Sequence, residues 1–150
     1  PPPPPPPPFF FHPHAAIRDS VASRGLGDVY KRQLDRITNI HAIEAPLFSR
    51  NLCIAGRVDC IAEFDNELAI IDFKTTKTLK KEEYLEKYFV QEAAYAYMYY
   101  EMTGVEVDKL VTMSVAEDGT MQVVQKYDKI PYINLLIDWI KEYHEDIKNA

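Results

Sequence analysis

The chain has 150 residues, 47% of them hydrophobic, and a formal net charge of −6. That is enough for one domain with its own core and too apolar for a disordered chain, and no apolar run approaches the roughly 20 residues that cross a bilayer. The acidic surplus argues against a protein that grips nucleic acid by bulk charge. Two cysteines, Cys53 and Cys60, are too few for a disulfide framework or a Cys-rich zinc site. Both fall in a predicted strand region and read as small reduced core residues, which fits a cytoplasmic location.

Pro1 to Pro8 is a homopolymer, followed by Phe9-Phe10-Phe11 and a stretch without usable periodicity. A polyproline helix or a linker is one physical reading. Another is that Asp28-Val29-Tyr30-Lys31-Arg32-Gln33 back-translates as GAT GTG TAT AAG AGA CAG, which resembles a transposon end used in sequencing adapters. Ser23 to Gly27 fits the flanking adapter primer in the same frame, and CCC codons are the complement of poly-G. The expectation is therefore that residues 1–33 are translated adapter, disordered, and set aside as a fusion scar would be. Residues 34–150 then hold the domain, with its amino-terminal part missing. The polar ending Lys148-Asn149-Ala150 suggests a natural stop.

From Ile37 to Ala45, Ile37, His41 and Ile43 alternate with polar residues and predict a strand ending at Pro46. Leu52 to Phe64 predicts a longer strand. Asp65-Asn66 is a turn signal leading into Leu68 to Phe73, an apolar run expected in the middle of a sheet. Glu82 to about Thr103 is the clearest helix, with Leu85, Phe89, Ala93 and Ala96 at helical spacing and Gly104 as its stop. Lys109 to Ser114 and Met121 to Lys126 are strands around Glu117-Asp118-Gly119. Pro131 begins a last helix whose stripe is Ile133, Leu136, Ile137 and Ile140. The order β-β-β-α-β-β-α predicts an α/β domain with a mixed central β-sheet flanked by helices.

Asp59 lies thirteen positions before Asp72, with a tight turn between them. Adjacent antiparallel strands would bring both carboxylates to neighbouring ladder positions, where they repel unless a cation is bound. Mg²⁺ or Mn²⁺ is the natural occupant. Lys74 shares a strand face with Asp72, and its ammonium can orient water and stabilise charge on phosphoryl oxygens. Phe73 faces the other way, but its backbone carbonyl could be a further metal ligand.

Gln91 and Tyr95 stand one helical turn apart, in a stripe with Tyr88 and Tyr99. That stripe serves either core packing or the positioning of the site and of a DNA strand by stacking. Lys77 belongs to a run of four lysines, Lys74, Lys77, Lys80 and Lys81, directly after the carboxylates. Alone, Asp-x-Lys is an ordinary surface ion pair and Gln91 a solvated residue; it is their combination with Asp59 that points to phosphodiester cleavage. Glu44 either supports the site from the neighbouring strand or is an exposed carboxylate. Glu63 and Glu67 read as surface charges near a turn.

These motifs resemble the RecB-type branch of the PD-(D/E)xK nuclease superfamily. Ile43 to Leu47, Ala55 to Cys60, Ile71 to Thr75 and Tyr88 to Gln91 look more closely like phage and mitochondrial genome-maintenance exonucleases. The resemblance implies a restriction-endonuclease-like core and Mg²⁺-dependent cleavage of DNA, single-stranded or with free ends, in phage or genome replication and recombination. It makes Asp59 and Asp72 metal ligands, Lys74 the catalytic lysine, and Gln91 and Tyr95 parts of the family helix motif. It also implies an upstream acidic or histidine ligand, for which His12 and His14 are poor substitutes. An iron–sulfur cluster, which some relatives hold with a trailing cysteine trio, is not expected, since no cysteine follows Cys60. Two other readings stand beside this one. The first is the nuclease domain of a larger helicase–nuclease. The second is a catalytically inactive DNA- or partner-binding module, against which intact Asp59, Asp72 and Lys74 argue. His41 and His144 form no metal pair by spacing, and Walker, nucleophile-elbow and CxxC motifs are missing.

Overall fold

The structure, a computed structural model, describes residues 27–150. Helix α1 (Gly27–Leu34) leads into strands β1 (Ile37–Ser49), β2 (Ile54–Phe64) and β3 (Glu67–Thr76). A 3₁₀ turn (Glu82–Leu85) then runs into helix α2 (Glu86–Thr103), followed by β4 (Lys109–Ala116), β5 (Met121–Lys126) and α3 (Ile130–Lys148). The strands form one sheet in the order β1-β2-β3-β4-β5, antiparallel except for the β3–β4 pair. That parallel pair requires a crossover, and α2 supplies it. The chain thus adopts the expected α/β fold with a mixed sheet.

Asp65 and Asn66 both have positive φ, 51° and 67°, as a two-residue hairpin of matching twist demands, and Phe64 pairs with Glu67 across it. Gly104, at φ 78°, ends α2 by donating its N–H to the Tyr100 carbonyl. Ile70 and Ile71 are both fully buried on opposite faces of β3, the central-strand pattern expected. On one face Ile61, Ile70 and Leu110 pack under Phe89, Ala93, Ala96 and Met98 of α2. On the other, Cys60, Phe64, Ile71 and Met113 pack with Leu34 and Ile37. Each fully buried Phe, Ile or Leu contributes roughly 1.5–3 kcal/mol. Rings of Phe89 and Tyr132, 5.5 Å apart, join α2 to α3.

Four expectations change. Pro46 does not end β1, which continues to Ser49 with Pro46 opposite Arg57. As an edge strand β1 has one neighbour, so a missing N–H is tolerated. β2 begins at Ile54, because Cys53 turns the chain at φ 53°. Cys53 is therefore exposed, and only Cys60 is a core cysteine, its thiol pushed up to about 12 by burial and by the Asp59 charge. Finally, residues 27–33 are helical where the sequence offered no periodicity; the rest of the segment expected to be disordered lies outside the described residues. Among the described residues no helix is long and apolar enough to cross a membrane.

Candidate active site

Cys60 and Ile71 are the last paired residues between β2 and β3. Beyond them β2 keeps only its β1 partner, from Val58 back to Ile54, and β3 keeps only β4, from Asp72 to Thr76. Asp59 and Asp72 occupy the next rung, at the mouth of the split. The Phe73 N–H donates across it to Asp59 Oδ2 at 2.9 Å. Asp72 is 4% exposed, and the Asp59 carboxylate acts on it from the same rung. Burial first, and then Asp59, push the Asp72 carboxyl up to about 7, outweighing the opposite pull of Lys74.

Lys74 Nζ is 2.9 Å from Asp72 Oδ2. The contact is an ion pair off the hydrogen-bonding direction, since that buried oxygen has no well-formed hydrogen bond. Burial works to lower the Lys74 pKa, but Asp72 and Asp59 outweigh it and hold the ammonium above its ordinary range. Gln91 Oε1 accepts from Lys74 Nζ at 3.3 Å, and Gln91 Nε2 donates to the Tyr95 hydroxyl at 3.0 Å. Burial, then the charges of Asp72 and Asp59, raise the Tyr95 pKa, so its hydroxyl stays protonated. The Tyr95 ring lies on Gly56, where an added Cβ would sit 2.9 Å from Cε1. The sequence motifs thus meet as a connected set: Asp59, Asp72, Lys74, Gln91, Tyr95 and Gly56.

β4 runs alongside, with Thr112 paired to Asp72 and Ser114 to Lys74, both buried. Thr112 Oγ1 donates to Glu92 Oε2. Glu92 is fully buried, and its Oε1 has no hydrogen-bond partner. Burial, then the nearby negative charges of Asp72 and Asp59, raise its pKa well above the carboxylate range despite Thr112 and Lys74. Sequence reasoning missed this residue. The available signal was a charge on the apolar face of α2, three residues after Phe89 and four before Ala96.

Other candidates do not join the set. Glu44 is exposed; its carbonyl accepts from Arg57 Nη1 at 3.2 Å. Lys77 is exposed and makes no ion pair among the described residues. Phe73 contributes its N–H, while its ring packs toward the opposite core. His12 and His14 lie outside the described residues.

The donor chemistry fits a hard divalent cation. Two carboxylates occupy one rung, Asp72 has a buried oxygen without a good hydrogen bond, and the Asp59 charge raises the cost of charging Asp72. Among the described residues no group of three or more His, Cys, Asp or Glu could hold a metal by itself. Such an ion would be completed by water and phosphate oxygens, as Mg²⁺ commonly is.

Residues 11–149 match the family described as "PD-(D/E)XK nuclease superfamily". No curated protein matches the chain. Among solved structures, a Eubacterium rectale protein named "Putative exonuclease" is similar at a TM-score of 0.54 and 10% identity, over 86% of this chain and 50% of that one. The structure of SSO0001 is similar at a TM-score of 0.41 and 19% identity, over 87% of this chain and 61% of that one. The chain therefore spans half the length of the first and under two thirds of the second. With the match running over nearly the whole sequence, the chain belongs to the PD-(D/E)XK nuclease superfamily.

Proposed function

We propose that the chain is the nuclease domain of a divalent-metal-dependent deoxyribonuclease that hydrolyses phosphodiester bonds of single-stranded or free-ended DNA. The observation that carries this reading is the meeting of Asp59, Asp72 and the Lys74 ammonium where β2 and β3 part. Asp59 and Asp72 would hold Mg²⁺ or Mn²⁺. When bound, such a cation supplies Lewis-acid charge to the phosphoryl group and makes water a stronger acid.

The chain's own residues then divide the remaining work. Lys74 stays protonated beside Asp72, so it serves as a fixed positive charge for the phosphoryl oxygens and not as the base. Gln91 holds that ammonium in place, and Tyr95 holds Gln91. The buried Thr112 and Ser114 close the floor of the site on the β4 side and keep bulk water from it.

An exonucleolytic role in phage or genome replication and recombination, in the cytoplasm of a bacterial host, is supported by the motif resemblance alone. The codon match supports residues 1–33 as adapter and 34–150 as the domain; long-read sequencing of the source locus tests that division. A second reading, a binding module without turnover, draws on the donor set of two carboxylates where a third would strengthen metal binding. Degradation of labelled single-stranded DNA with and without Mg²⁺, with Lys74→Ala as control, separates the two. Cleavage that needs Mg²⁺ and Lys74 supports the nuclease. Binding without cleavage supports the module.

A further inference from the structure

Tyr88 stands at the edge of the carboxylate site, and three ammonium groups surround its ring. Lys74 Nζ lies 4.7 Å from the ring centroid, Lys87 Nζ 5.4 Å and Lys80 Nζ 5.5 Å. Lys80 also donates to the Tyr88 hydroxyl at 3.1 Å. Among the described residues neither Lys80 nor Lys87 pairs with a carboxylate, and Glu82, between them in sequence, is committed to Lys126. In a chain of net charge −6, this local surplus of positive charge is unusual. Asp72 compensates Lys74, but attraction to the ring offsets only part of the repulsion that Lys80 and Lys87 add, which physiological salt does not fully screen at this range. An anion between them removes the repulsion.

Resting on the nuclease reading above, we infer that Lys80, Lys87 and Tyr88 form an anion subsite that seats a second phosphate of the DNA strand beside the one being cleaved. Lys74 connects the two positions, since the same ammonium faces both Asp72 and the Tyr88 ring. The lysines, Lys80 foremost, hold the Tyr88 hydroxyl below the usual phenol range, which makes it a better hydrogen-bond donor to a phosphate oxygen. Lys87 and Tyr88 sit on the first turn of α2, the helix that carries Gln91 and Tyr95, and Lys80 reaches them from the loop before the 3₁₀ turn.

The test is binding of a fluorescent single-stranded oligodeoxynucleotide by the full chain, with Ca²⁺ replacing Mg²⁺, across a salt series. Lys80→Ala combined with Lys87→Ala should weaken binding about tenfold and flatten the plot of log affinity against log salt by about one. Lys141→Ala, on the exposed end of α3, should change neither. Lys80→Gln with Lys87→Gln repeats the measurement with longer side chains, in case the alanine pair perturbs folding. A penalty seen only with a 5′-phosphorylated strand assigns the subsite to a terminal phosphate. An equal penalty with a 5′-hydroxyl assigns it to an internal one. Unchanged affinity and slope in both double variants overturn the subsite, and if the native chain still cleaves DNA the nuclease reading survives. A native chain that shows the double-variant penalty but never cleaves keeps the subsite and loses the nuclease reading. A native chain that binds no oligonucleotide at any salt overturns both.

Discussion

The Tyr95 ring rests directly against the backbone of Gly56, so closely that a methyl group there would approach Cε1 to 2.9 Å. Gly56 lies in the part of β2 that has left β3, and Tyr95 fills the space above it. From Tyr95 the contacts run through Gln91 to Lys74 and on to Asp72. A change on β2 that touches no catalytic group should therefore reach the reacting lysine. Gly56→Ala forces the ring aside at roughly 1–3 kcal/mol, the usual cost of overpacking. The expected result is a chain that still folds, shown by circular dichroism, with DNA cleavage reduced about tenfold or more. Tyr95→Phe keeps the ring and loses one hydrogen bond of about 1 kcal/mol, so it should cost less than tenfold. Equal activity in Gly56→Ala and the native chain would remove the proposed linkage.

Lys74 links Asp72 to the helix motif, touching the carboxylate on one side and Gln91 on the other. Lys74→Ala should lower cleavage by about 100-fold or more, the range for removing one donor from a preorganised site. Asp72 then loses its only cationic contact among the described residues, so its pKa should rise further and metal affinity change in the same variant. Lys74→Arg keeps charge but brings a wider, planar head between Asp72, Gln91 and the Tyr88 ring. It should recover only part of the lost rate, measured as initial velocity on a labelled strand.

Much of this site was legible because it is written locally. Asp59 and Asp72 flank a two-residue turn, so strand pairing alone sets them on one rung, and Gln91 and Tyr95 share a helix face by periodicity. What the sequence did not reveal depends on non-local geometry. Glu92 reads as polar, and only the parallel register of β4 shows that it meets Thr112 beneath the carboxylates. Pro46 reads as a stop because edge position is a property of the whole sheet. Glu44 was plausible from its place on the neighbouring strand and Lys77 by proximity in sequence, yet both are exposed.

Glu92 makes a test of a buried acid. Its carboxyl is fully buried, burial pushes its pKa well above the carboxylate range, and Thr112 donates to one oxygen. Glu92→Gln has nearly the shape of the neutral form that burial favours, and should leave melting temperature unchanged and activity within about threefold of native. Glu92→Ala opens a cavity and strands the Thr112 hydroxyl, costing roughly 2–4 kcal/mol by thermal or denaturant unfolding. A collapse of activity in Glu92→Gln with unchanged stability would mean instead that an ionised Glu92 takes part in the reaction.

The Asp72 carboxyl, held near 7 against an unfolded value of 3.8, couples folding, protons and metal. The native state binds this proton more tightly than the unfolded chain does. Its contribution to stability is thus fully present below about pH 4 and is lost as pH rises through about 7. Without metal, melting temperature should fall between pH 5 and pH 8, and Asp72→Asn should flatten that fall. A divalent cation competes with the proton for the same oxygens. Binding at pH 6 should release most of one proton per cation, and binding at pH 8.5 almost none, read by calorimetry in buffers of different ionisation enthalpy. Stabilisation by Mg²⁺ should accordingly be larger at pH 8 than at pH 6. A cation that binds without proton release at pH 6 would mean that Asp72 is already ionised there, and that burial beside Asp59 at the split between β2 and β3 does not hold its proton.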